Sequence, residues 1–119
     1  MIRDTQRFER LIAQTRAFVR DVAIPNEARV ERDDQIPEDI VETMRSLGLF
    51  GWSIPEAYGG AGLTTEELAL ANMEISQCSV AYRVRVGINT GVGSESLVQG
   101  GAPAQKDKYL PLLASGQVT

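Results

Sequence analysis

Residues 79–101, SVAYRVRVGINTGVGSESLVQGG, decide the fold because they read two ways. Tyr82, Val84, Val86 and Ile88 alternate as in a half-buried strand, whereas Val84, Ile88 and Val92 recur at helical spacing with Gly87, Gly91 and Ser94 on a second stripe. β-Branched propensity alone favours the strand. A strand needs a partner, however, and no other segment of the chain offers one. A buried helix with a stripe of small residues lets neighbouring backbone approach closely, so a helix is expected here, ended by Gly100 and Gly101.

The flanking segments point the same way. Pro103 opens a last short helix through Leu113, with Gly116 as its stop. On the other side, Thr64 and Glu67 have the spacing of a capping box, and Leu68, Ala71, Ile75 and Cys78 continue at helical spacing. In front of that cap, the segment IPEAYGG lets the chain reverse tightly at Gly59 and Gly60, with Tyr58 and Trp52 packing between helices. LFGWSIP before it has no helical period and is expected to be an extended connector. Pro37, Glu38 and Asp39 open a helix with Ile40, Val41, Met44 and Leu47 on one face and Gly48 as its stop. Asp4 or Thr5 caps the first helix, whose stripe is Phe8, Leu11, Ile12, Phe18, Val19 and Val22; Pro25 should kink or end it, although NEARVERD is able to carry it further. The expectation is one all-α domain over residues 1–119, a bundle of about five helices.

Composition narrows the function. The net charge of −4 divides evenly, −2 in residues 1–50 and −2 in residues 51–119, so neither half suits nucleic acid or an anionic membrane surface. The absence of histidine and a single cysteine, Cys78, exclude histidine-based triads, histidine or multi-thiolate zinc sites and disulfides within one chain. Cys78 reads as a packed thiol. No apolar run approaches the roughly 20 residues needed to span a membrane, and MIRDTQRFER lacks the apolar region of a signal peptide, which points to the cytoplasm.

Three stretches in register carry a more specific message: LGLFGWSIPEAYGGAGLTTEELALANMEIS (residues 47–76), AYRVRVGINTGVGSESLVQGG (81–101) and PAQKDKYLPLLASG (103–116). Together they resemble the N-terminal helical domain of the flavin-dependent acyl-CoA dehydrogenases. The resemblance implies an enzyme that removes the α-proton of an acyl-CoA thioester with a glutamate while hydride passes from the β-carbon to FAD. That base belongs to the family's C-terminal helical domain and most flavin contacts to its central β domain and C-terminal domain. Neither domain matches anything in this chain. No catalytic or cofactor-binding residue is therefore assigned, Glu56, Glu66, Glu67, Glu74 and Glu95 included, and the domain alone is expected to be inactive.

The resemblance also implies that the helix over residues 80–100 lines one wall of the acyl pocket. The expected substrate-binding residues are Arg83, Arg85, Ile88 and Val92. In the glutaryl-CoA branch a pair like Tyr82-Arg83 supplies a guanidinium for the distal carboxylate, a task suited to arginine's planar, permanently charged fork. The plain alternatives are a solvated arginine pair and ordinary core for Ile88 and Val92. Lys106 and Lys108, with Asp107 between them, read as a solvated face. Implied partners are acyl-CoA and, as electron acceptor, electron-transfer flavoprotein or oxygen, with no nucleic acid and no membrane. Acyl-CoA oxidases and flavin-dependent monooxygenases share the helical domain and remain alternatives, as does a stand-alone helical binding module. An apolar patch around residues 80–100 or LFGWSIP is expected to drive assembly into a homo-oligomer.

Overall fold

The computed structural model describes all 119 residues, and every regular element in it is helical. The α-helices are α1 (Thr5–Phe18), α2 (Glu27–Asp33), α3 (Glu38–Ser46), α4 (Thr65–Ile75), α5 (Val80–Gly87), α6 (Glu95–Gly100) and α7 (Pro103–Ala114), linked by π- and 3-10 turns. Five helices are recovered when α1 with α2, and α5 with α6, are each taken as one interrupted helix. No helix is long and apolar enough to cross a membrane. Two compact units result: residues 1–43 with 64–84, and residues 44–63 with 85–119.

In the first unit, the Asp4 carboxylate caps α1 by accepting the Arg7 N–H at 3.0 Å. Pro25 neither ends this helix nor leaves it regular. Over Val19–Ala23 the hydrogen bonds lengthen to the π pattern, with the Ile24 N–H reaching the Val19 carbonyl. A widened turn relieves the clash a proline ring makes with the preceding turn, and Asn26 Nδ2 donates to the Val22 carbonyl at 2.8 Å. The chain then runs on through α2 until Asp34, in the left-handed region at φ 51°, stops it. Helix α1 packs on α4. Phe8, Phe18, Val19, Ala71 and Ile75 are buried in this unit, and Phe18 meets the Tyr82 ring edge-on at a centroid distance of 5.8 Å. Each of these side chains except Ala71 contributes about 1.5–3 kcal/mol of hydrophobic stabilisation. The capping box forms as expected: Thr64 Oγ1 accepts the Glu67 N–H at 3.3 Å, and Glu67 Oε1 accepts the Thr64 N–H at 3.2 Å. Arg3 Nε donates to the same carboxylate at 3.2 Å.

The second unit corrects one expectation. LFGWSIP is not extended: Leu49–Gly51 form a 3-10 turn and Trp52 keeps helical angles, φ −52° and ψ −47°. The reason is burial. Leu49, Phe50, Trp52 and Ile54 are all buried, whereas an extended chain would turn alternate residues to opposite sides. The expected apolar patch on this segment is therefore absent. The following loop folds back on it, with Ala61 N–H donating to the Gly51 carbonyl at 2.8 Å, Gly62 to Ile54 at 2.9 Å and Leu63 to Trp52 at 2.8 Å. Such close return requires Gly60, because a Cβ there would collide with the Ile54 carbonyl. Tyr58 packs, as expected, on the cluster of Ile54, Leu110, Leu113 and Ala114. Past α7, Gly116 is left-handed at φ 76° with its carbonyl accepting from Arg45 Nε at 3.0 Å.

Candidate functional site

The stretch that decides the fold is helical but irregular. Helix α5 gives way to a π-turn over Ile88–Val92, in which the Gly93 N–H reaches the Ile88 carbonyl at 2.6 Å. A Cβ on Gly93 would lie 2.9 Å from that carbonyl oxygen, so the widened turn suits glycine there. Three side chains hold the turn. The Ser53 hydroxyl donates to the Thr90 carbonyl, Thr90 Oγ1 donates to the Val86 carbonyl at 3.0 Å, and Asn89 Nδ2 donates to the carbonyls of Leu113 at 2.9 Å and Val118 at 2.8 Å.

The stripe that faces inward is not the aliphatic one. Val86, Asn89, Thr90 and Ser94 are buried, while Val84, Ile88 and Val92 are exposed, Val92 to 84% and Ile88 to 40%. Ordinary core is thereby ruled out for Ile88 and Val92. Along the small-residue stripe Ser94 is buried, whereas a Cβ on Gly91 would meet open space, so no close approach is made at Gly91. Polar Asn89 and Thr90 went unnoticed in the sequence. The signal was the 82, 86, 89 spacing, a helical stripe that contains an asparagine.

Arg85, one turn before Ile88, is half-buried, and its Nε is buried without a hydrogen-bond acceptor in the protein. Arg83 belongs to the first unit and is exposed. Its neighbour Tyr82 is core: the ring is buried, the hydroxyl has no partner, and burial raises its pKa, with Cys78 and Glu27 adding to the effect. In the second unit, Arg85, Ile88 and Val92 recur at helical spacing. Lys108 lies with its ammonium 5.1 Å from the Tyr109 ring centre.

The glutamates serve structure. Burial pushes the Glu67 carboxyl up, but hydrogen bonds from Thr64 and Arg3 more than offset this, leaving its pKa below the usual value. Hydrogen bonding from Arg16 lowers that of Glu74. Carboxylates held in this way are poor proton acceptors near neutral pH. The first unit has a cavity of about 420 Å³ lined by Glu27, Glu31, Asp34 and Ser79, and one of about 290 Å³ lined by Phe8, Ile12, Leu70 and Met73 with Glu9, Arg16 and Glu74. None of the expected site residues lines either cavity.

Comparison with known proteins gives this geometry its context. Residues 5–117 match the family model described as acyl-CoA dehydrogenase, N-terminal domain. The chain belongs to the acyl-CoA dehydrogenase family. It is 39% identical over 101 residues to an acyl-CoA dehydrogenase of Bacillus subtilis (strain 168), a match covering 85% of this chain and 27% of that protein. It is 37% identical over 87 residues to the (2S)-methylsuccinyl-CoA dehydrogenase of Cereibacter sphaeroides, covering 73% of this chain and 16% of that one. Among solved structures, the acyl-CoA dehydrogenase from Bacillus anthracis complexed with FAD superposes at a TM-score of 0.80 with 30% identity, over 94% of this chain and 19% of that chain. The chain thus spans about a quarter or less of the length of these relatives. The expected family and all-helical N-terminal domain fold both hold.

Proposed function

We propose that the full-length protein carrying this domain is an FAD-dependent acyl-CoA dehydrogenase, and that Arg85, Ile88 and Val92 form part of the wall beside its acyl chain. The family match from residue 5 to residue 117 carries the reading. Outward-facing Ile88 and Val92 supply what an acyl chain needs, aliphatic surface without polar atoms. FAD supplies the hydride-accepting chemistry in this reaction class. The two cavities of the first unit do not suit it, because Glu27, Glu31 and Asp34 in one and Glu9 and Glu74 in the other would face its pyrophosphate. The contribution of this domain is instead to bind and orient the acyl group and to keep water from it.

The proposal extends to specificity. Arg85 has a buried, unpartnered Nε beside the aliphatic pair, which favours it over exposed Arg83 as the group that pairs a distal carboxylate. The similarity to a methylsuccinyl-CoA dehydrogenase fits a dicarboxylyl substrate. Acyl-CoA as substrate, electron-transfer flavoprotein or oxygen as acceptor, a homo-oligomeric state and a cytoplasmic location complete the proposal.

The test is the visible spectrum of the full-length protein, followed anaerobically as a panel of acyl-CoAs is added. One thioester should bleach its flavin; a protein that binds no flavin, or whose flavin no thioester bleaches, overturns the reading. Arg85→Ala should then lower kcat/KM for a dicarboxylyl-CoA by about tenfold to a hundredfold, the worth of a charge-assisted hydrogen bond, relative to a straight-chain acyl-CoA of equal length. Arg83→Ala should do less. Equal losses on both substrates would remove the carboxylate role.

A further inference from the structure

We infer that Asn89 is a positioning residue for the acyl wall, tying the turn that presents Ile88 and Val92 to the segment after α7. The inference rests on the dehydrogenase reading above and deepens it. Asn89 is fully buried, and both N–H groups of its amide are used: one reaches the Leu113 carbonyl at 2.9 Å, the other the Val118 carbonyl at 2.8 Å. The two bonds reach 24 and 29 residues along the chain. It sits in the π-turn, between the two residues whose side chains point outward. Widened turns of this kind lack the regular bonding that fixes a helix, so tertiary contacts must set their shape. Thr90 holds the turn from within its own helix and Ser53 ties it to the segment before the Gly59–Gly60 reversal; the bonds to the backbone from Leu113 onward come from Asn89. A change at Asn89 therefore moves Ile88 and Val92 without touching either of them.

Asn89→Asp tests this in the full-length protein. The substitution keeps the side chain's shape but replaces two N–H donors with a carboxyl that carries at most one O–H, so at least one of the two bonds is lost. Leu110→Val is the comparison, because it loosens packing in the same unit and leaves the two bonds intact. Two measurements are made on each variant: amide hydrogen exchange over residues 113–118, and kcat/KM across straight-chain acyl-CoAs of increasing length. For Asn89→Asp we expect exchange there to rise at least tenfold and the ratio of long-chain to short-chain kcat/KM to shift about fivefold through KM; Leu110→Val, whose side chain packs in one cluster with Leu113 and Ala114, raises exchange as well but leaves the ratio unmoved. Unchanged exchange in Asn89→Asp, an unchanged ratio, or an equal shift of the ratio in Leu110→Val would overturn the inference. If the wild-type protein turns over no acyl-CoA, the dehydrogenase reading fails and the inference falls with it. If the wild type is active and only the variant's ratio is unmoved, the inference alone fails.

Discussion

Gly60 and Gly91 occupy opposite extremes of what a glycine does in this chain. A Cβ on Gly60 would run into the Ile54 carbonyl, where the returning loop lies against its own beginning. Gly60→Ala should therefore cost about 3 kcal/mol or more, read as a lowered urea midpoint. Gly91 faces open space inside a helical segment. Gly91→Ala should raise stability by about 0.5–1 kcal/mol in the same assay, by restricting the unfolded chain. Cys78 is a second case where surroundings decide. Burial, assisted by the Glu27 carboxylate, pushes its thiol up to about 11, and the Sγ–H donates to the Ile75 carbonyl. Iodoacetamide should label it about a hundredfold more slowly at pH 8 than an unburied cysteine. Because the folded state holds the proton more tightly, this contribution to stability is complete below the unfolded value, about pH 9, and fades as pH rises toward 11. Cys78→Ala should flatten that alkaline fall. The packed thiol was legible in the sequence from its helical spacing; the orphaned Nε of Arg85 was not, because burial of one atom depends on neighbours outside its helix.

At the scale of elements, α4 has the most locally specified start. Its capping box involves residues three apart, and the Arg3 guanidinium and the Met1 carbonyl extend it into the N-terminal segment. Thr64→Ala should cost about 1 kcal/mol, a drop in melting temperature of about 3–5 °C. Glu67 adds a pH dependence. Its lowered pKa means that its contribution is present above the ordinary carboxylate range and is lost as pH falls below it, so Glu67→Gln should shallow the acid limb of the stability profile. Helix starts of this kind were readable because cap and acceptor are near neighbours in the chain. The two π-turns were not. At Val19–Ala23 the proline marked a disturbance but not its form, and at Ile88–Val92 the cause is shared between glycines and bonds from Ser53 and Asn89. The tight turn at Leu49–Gly51 escaped for a similar reason, since hydrophobic burial outweighed the absence of a helical period.

For the molecule as a whole, the exposed aliphatic side chains carry the consequence. Val92 and Ile88 in the second unit, and Val80 and Val84 in the first, are all at least 40% exposed. Self-association of this 119-residue chain is the expected outcome, and Val92→Lys should shift it toward monomer. Light scattering at high concentration measures both; a monodisperse wild-type monomer would count against it. The all-helical class, the order of the helices and their caps were determined by sequence alone, because helical periodicity, capping and turn chemistry act between residues a few positions apart; the family came from the resemblance of three stretches in register. Only the tertiary structure decided that Tyr82, Val86 and Asn89 turn inward while Val84, Ile88 and Val92 turn outward. That choice rests on partners far along the chain: the two carbonyls that accept from Asn89 lie 24 and 29 residues away, a distance over which no local pattern carries information.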